Sequence, residues 1–282
     1  MPHAALERDG DGTAYPFSPP AGRRWRQPDE GRAAEQRGQS MDSRLGAIRG
    51  ILFDKDGTLL DYDESWLPVN RELAKIAAEG DPALADRLLL ACGMDPVTGH
   101  IVPDSLLAAA NTRQISQGLI AAGSPMPLDA LTARLDDLFS HAADFSVAVT
   151  DLAAFFGRMR ARGYRLGVAS SDNERSIRQT AIRFGFLDCL DYIAGYDSGH
   201  GSKPEAGMVL GFCKATGLAA AEVAVVGDNN HDLHMGENAG AGLKIGVLTG
   251  TGSRESLGRA ADYCLDDITG LEALLPVPQA AR

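Results

Sequence analysis

The sequence predicts an α/β protein in which a parallel sheet is covered by helices on both faces and a helical insertion follows the first strand. Three observations carry this reading. Short runs rich in Val, Ile and Leu, at residues 48–53, 164–169, 192–194, 223–226 and 243–248, are almost continuously apolar, as strands buried on both faces are. Segments of helical period separate most of them, as crossovers between parallel strands require. The interval from Gly57 to Ala169 is too long for one crossover, and much of it is helical in pattern.

In chain order, strand 48–53 leads into an insertion assigned to residues 63–144. Ser65 to Glu79 carries Trp66, Leu67, Val69, Leu73 and Ile76, mostly at helical spacing. Asp81-Pro82 starts a second helix, with Asp as N-cap and Pro at N1, and Gly93 stops it. Residues 93–100 read as turns, and His100 there as a surface residue. Asp104 to Ala122 and Leu128 to Ala142 complete a group of about four helices. The insertion is expected over the carboxyl edge of the sheet, where open α/β folds bind ligands. Beyond it, Thr150 opens a helix that Gly163 closes. Residues 173–184, 205–216 and 231–239 read as further crossover helices. The core is therefore assigned to residues 46–62 and 145–276, with tails at 1–45 and 277–282.

Residues 1–40 differ from the rest. They hold ten Gly or Pro residues, six acidic and six basic side chains, and Leu6 as the one aliphatic residue larger than Ala. Such a segment buries too little apolar surface to offset its ordering entropy and is expected to be disordered. It lacks the apolar core of a signal peptide, and its acids argue against a transit peptide. Met41 directly precedes the first core-like stretch, so a translation start there is an alternative to Met1. The net charge of −11 argues against bulk binding to nucleic acid or an anionic membrane. No apolar stretch is long enough to span a bilayer. Four scattered cysteines without a CxxC pair point to a reduced, cytoplasmic setting.

Four short segments follow strand-like runs and converge in a parallel sheet. In Asp54-Lys55-Asp56-Gly57-Thr58, one carboxylate can attack phosphorus, and a second two residues on can protonate the leaving oxygen and then activate water. Gly57 permits the tight backbone path that aims both carboxyls at one spot. Ser170-Ser171, before a helix, suit a phosphate oxygen, although Ser also serves there as an ordinary N-cap. Lys203, before Pro204, is a cation able to neutralise the nucleophile and the transferring oxygens. Asp228 leaves a strand in Gly227-Asp228 and is read as a direct Mg²⁺ ligand, with Asp232 a partner for Lys203 or a water. His231 and His234 lack a third ligand nearby, which argues against a transition-metal site.

With these motifs in this order, residues 46–275 resemble the haloacid dehalogenase-like hydrolases, and specifically their phosphatases with a helical cap between the first two motifs, phosphoglycolate phosphatases among them. The resemblance implies a Rossmannoid sheet of order 5-4-1-2-3. It also implies a metal held by the Asp54 carboxylate, the Asp56 main-chain carbonyl and Asp228. Asp56 argues against the dehalogenase branch, which has no acid there. Related sugar phosphomutases carry a cap His at the position occupied here by Trp66. The expected activity is Mg²⁺-dependent hydrolysis of a small phosphorylated metabolite, phosphoglycolate or one like it, through an aspartyl-phosphate. A sugar phosphomutase and a non-catalytic phosphate-binding protein are the alternatives.

Overall fold

The computed structural model describes residues 43–278. The expected N-terminal tail lies outside the described residues up to 42, as do 279–282 of the C-terminal one. Residues 43–47 are helical, and Arg44 there donates from Nε to Gly242 O (3.1 Å) and pairs with Asp262 (3.0 Å). Regular structure thus begins a few residues before the expected boundary, because one long cation reaches a carbonyl and a carboxylate of the core.

Strand β1 (Gly50–Phe53) is followed by α1 (Tyr62–Ala77), α2 (Pro82–Ala91), α3 (Leu106–Ala109), α4 (Thr112–Ala121) and α5 (Leu128–Ala142). Strands and helices then alternate as α6 (Leu152–Ala161), β2 (Arg165–Ala169), α7 (Glu174–Arg183), β3 (Tyr192–Ala194), α8 (Gly207–Thr216) and β4 (Val223–Gly227). The chain continues through α9 (Asn230–Ala239), β5 (Leu243–Val247), α10 (Arg254–Leu257), β6 (Tyr263–Leu265) and α11 (Leu271–Leu274).

The sheet is parallel throughout, in the order β3-β2-β1-β4-β5-β6. This is the expected order with a sixth strand added beyond β5. Alternation along each strand sends side chains to opposite faces. Ile51, Phe53, Leu166, Val168, Ala224 and Val226 join Phe155, Phe156 and Ile177 of α6 and α7 in one buried cluster. Leu52, Ala169, Val223 and Val225 join Met208, Phe212 and Met235 of α8 and α9 in another. Each large side chain so buried contributes about 1.5–3 kcal/mol. The helices from α1 to α5 build a separate core around Leu73, Leu88, Leu119, Leu131 and Leu135.

Several expected helix ends move, and α1 starts at Tyr62 rather than Ser65 because the Asp61 carboxylate accepts from Glu64 N–H (3.0 Å) and caps it there. The helix expected over 104–122 breaks into α3 and α4. The Asn111 side chain accepts from Gln114 N–H while the Gln114 side chain accepts from Asn111 N–H (both 3.0 Å), a capping box that starts a new helix. Helix α6 is capped by Asp151 rather than Thr150, because its carboxylate accepts from Ala154 N–H (3.0 Å) and also suits the positive helix end. Helix α8 begins at Gly207, so Lys203 and Pro204, joined by a cis peptide, stand in the preceding turn.

Register sets up the site. Phe53 pairs with Val168 on one side and Val226 on the other. Asp54, Ser170 and Asp228 therefore follow these paired positions by one or two residues, along one carboxyl edge.

Candidate active site

Asp54 and Asp228 leave adjacent strands, and Asp232 stands on the first turn of α9. One carboxylate oxygen from each can be chosen so that all three lie within 4.8 Å of one another. Asp54 is tied to the sheet by its N–H, which donates to Val226 O (2.8 Å). Lys203 Nζ bridges Asp54 Oδ1 and Asp232 Oδ1, the latter at 2.5 Å. Asp232 also accepts from Asn229 N–H (3.2 Å), so it caps α9 and holds the lysine at once. Asp228 Oδ2 accepts from Thr251 N–H (2.8 Å) and hydroxyl (3.3 Å). Two glycines make room for it: a Cβ on Gly57, whose φ is +77°, would meet Asp228 Cγ at 2.6 Å, and one on Gly250 would overlap Oδ2.

A second buried knot surrounds Asp56. Lys55, 3% exposed, reaches Asp56 Oδ2 at 2.8 Å and Asp172 Oδ2 at 3.1 Å. Trp66 Nε1–H of α1 donates to Asp56 Oδ1 at 2.7 Å, and the Lys55 ammonium lies 5.5 Å from the Trp66 ring centre. A side chain from the helical segment is thus bonded directly to a carboxylate of the first motif.

Burial is the dominant influence on these acids. It raises Asp54 to about 6, with Lys203 opposing and Asp232 adding to the shift. Burial likewise raises Asp56 to about 6 against the pull of Lys55. Asp228 is held well above its ordinary value by burial and then by the like charges of Asp54 and Asp232. For Lys203, burial disfavours the charge, but Asp232 and Asp54 outweigh it and the ammonium is held firmly.

Ser170 is buried, and its Oγ accepts from Asp172 N–H (3.1 Å), which leaves its own proton available to a ligand. The Ser171 hydroxyl donates instead to Ala109 O (3.2 Å), across to the helical segment. All the residues proposed from sequence, Asp54, Asp56, Ser170, Ser171, Lys203, Asp228 and Asp232, line one cavity. Its opposite wall comes from Tyr62, Trp66 and Asn70, one stripe of α1 at i, i+4 and i+8, and from Leu107, Ile115 and Phe139. His231 lines the cavity too, while His234 does not. His100 lies outside it, in an exposed turn.

Sequence reasoning gave no role to Lys55, Asp172, Thr251 or Asn70, and it noted Trp66 only in a helical pattern and as the replacement for a His. Thr251 follows β5 in a Thr-Gly-Thr-Gly loop that carries no local signal for a carboxylate partner. Lys55 and Asp172 are charged residues at the mouths of apolar strands, and this was the available clue that they pair.

The donor set fits a divalent cation. Five carboxylates (Asp54, Asp56, Asp172, Asp228, Asp232) face two ammonium groups (Lys55, Lys203), and Asp228 makes no salt bridge among the described residues. An all-oxygen cluster with excess negative charge is the donor chemistry of a hard cation.

A family model described as haloacid dehalogenase-like hydrolase matches residues 48–240. The chain is 28% identical to a phosphoglycolate phosphatase of Rhodospirillum rubrum over 82% of its own length and 92% of that protein. It is 23% identical to an N-acetylmuramic acid 6-phosphate phosphatase of Pseudomonas aeruginosa, over 71% and 84% of the two chains. In fold it resembles a Bacteroides fragilis structure described as a haloacid dehalogenase-like hydrolase, with a TM-score of 0.63 at 16% identity over 79% of this chain and 99% of that one.

Proposed function

The chain belongs to the haloacid dehalogenase-like hydrolases and is a phosphatase of that family, and from that premise we propose that it hydrolyses a small phosphate monoester with Mg²⁺ through an aspartyl-phosphate at Asp54. The observation that carries the proposal is the buried carboxylate cluster at the sheet edge, bridged by Lys203 and faced by Ser170.

In the first step an Asp54 oxygen bonds to phosphorus as the bond to the leaving oxygen breaks, and Asp56 gives that oxygen a proton. In the second, Asp56 takes a proton from water, whose oxygen bonds to phosphorus and releases Asp54 and inorganic phosphate. Lys203 offsets the charge of Asp54 and of the phosphoryl oxygens, and the free Ser170 proton donates to one of them. Lys55 and Trp66 fix the direction of the Asp56 carboxyl. The Asp54 and Asp228 carboxylates and the Asp56 carbonyl would hold Mg²⁺, which supplies charge neutralisation and orientation of the phosphoryl group. Residues 63–144 act in this reading as a cap that keeps bulk solvent away from the reacting groups while admitting the single water of the second step.

Three measurements test it. Release of inorganic phosphate from 4-nitrophenyl phosphate is expected with Mg²⁺, lost in EDTA, restored by Mg²⁺ and inhibited by Ca²⁺, whose looser shell misplaces nucleophile and phosphorus. Full activity in EDTA sinks the metal assignment. A mutase would isomerise a sugar phosphate without net phosphate release. Gly57→Ala places a Cβ 2.6 Å from Asp228 Cγ at a positive φ. It is expected to raise the Mg²⁺ concentration for half-maximal activity about tenfold or more, and an unchanged Mg²⁺ titration contradicts the ligand role of Asp228. Since several relatives are named phosphoglycolate phosphatase, 2-phosphoglycolate is the reference metabolite against which others are ranked, and the phosphatase reading does not depend on its rank.

A further inference from the structure

We propose that the group esterified to phosphate is uncharged and hydroxyl-bearing, as in a phosphorylated polyol or small sugar, and not a carboxylate. The inference rests on the phosphatase reading above and narrows its substrate class.

It follows from which donors the cavity leaves free. Among the described lining residues Lys203 is the only Lys or Arg, and it is already held between Asp54 and Asp232. Lys55 behind it is held between Asp56 and Asp172. On the wall facing the acids, the Trp66 N–H is used by Asp56 and the Tyr62 hydroxyl donates to Leu107 O (2.6 Å). Besides His231 Nδ1, two buried polar atoms of the lining make no hydrogen bond or ion pair: Asn70 Nδ2 and Thr112 Oγ1, on residues that are each 1% exposed. Asn70 lies beside the Tyr62 hydroxyl, and Thr112 near Asp136 and the Tyr196 hydroxyl, in each case short of hydrogen-bond geometry. His231 also lines this cavity and the neighbouring groove, which marks it as the mouth. Burial lowers its affinity for a proton, which makes it a poor counter-charge for a carboxylate.

A carboxylate on the substrate would enter a space already crowded with acids, shed its water and find no spare cation, which is strongly unfavourable. A hydroxyl meets neither cost. It can accept from the Asn70 amide, and it can either donate to or accept from the Thr112 hydroxyl. Satisfying buried polar atoms that are otherwise unpaired is also how such sites discriminate most sharply. Leu107, Ile115 and Phe139 present apolar surface to the carbon skeleton.

Matched pairs test this, using the full chain with Mg²⁺: glycerol 3-phosphate against 3-phosphoglycerate, and 2-hydroxyethyl phosphate against 2-phosphoglycolate, with 4-nitrophenyl phosphate as control. Each pair differs in one terminal carbon, an alcohol in one member and a carboxylate in the other. The alcohol member is expected to have the larger kcat/KM, by about 100-fold. Asn70→Ala is expected to shrink that ratio several-fold by raising KM for the alcohol. If the control is not hydrolysed, the phosphatase reading fails and this inference with it. If the control is hydrolysed while the carboxylate member equals or beats the alcohol, or while neither member exceeds the control, the inference alone is overturned. An unchanged ratio in Asn70→Ala likewise removes Asn70 from the discrimination.

Discussion

Asp54→Asn is expected to bring turnover of every phosphate ester to background, a loss on the order of 10⁵-fold or more. An amide of the same shape cannot form the covalent intermediate, and the loss of its charge also weakens one of the two contacts of Lys203. The fold should be untouched. The backbone bond from Asp54 N–H to Val226 O does not involve the side chain, and Lys203 keeps Asp232. Because burial raises the Asp54 carboxyl to about 6, its ionised form opposes folding near neutral pH without metal. The melting temperature of the metal-free variant should accordingly be equal to or above that of the parent. Steady-state phosphate release and a thermal melt on one preparation read both outcomes, and retained turnover would show that Asp54 is not the nucleophile.

The second large effect belongs to Asp56. Asp56→Asn keeps the nucleophile and the main-chain carbonyl but removes the group that exchanges the proton. General acid–base groups contribute about 10²–10⁴-fold, and a loss of that size is expected on alkyl esters. On 4-nitrophenyl phosphate, whose leaving group needs little protonation, the first step should survive and the second should stall. The amide oxygen introduced by this substitution can still accept from Trp66 Nε1–H, while its NH2 loses the contact that the carboxylate made with Lys55. An equal loss in the rate of the first step, read as the burst of released alcohol or phenol, on alkyl and aryl esters would contradict the acid role.

Much of this arrangement was legible in the sequence because backbone periodicity and strand ends are local signals. The apolar runs at 48–53, 164–169 and 223–226 became β1, β2 and β4, and the residues just beyond them meet in one cavity. Strand β6 was not legible. It is three residues long between acids, and its neighbour Asp262 aligns it by accepting from Lys244 N–H (2.8 Å), a contact that crosses 18 positions. The break between α3 and α4 was readable in principle from Asn111 and Gln114, but the apolar period runs through it. The hydrogen bond from Trp66 to Asp56 depends on how the helical segment sits against the sheet edge, and no local pattern encodes that. Lys55 illustrates the limit from the other side. Between two acids it looks like a solvated charge, yet it is buried because Asp172, far along the chain, supplies the second carboxylate.

The covalent intermediate is the central claim, and rapid acid quench of Asp56→Asn during reaction with 4-nitrophenyl phosphate, followed by peptide mass spectrometry, tests it most directly. The expected result is one added phosphoryl group on the peptide containing Asp54, absent when Asp54→Asn is combined with the first substitution. A phosphoryl group on another peptide, or a label that persists in the double variant, would contradict the account.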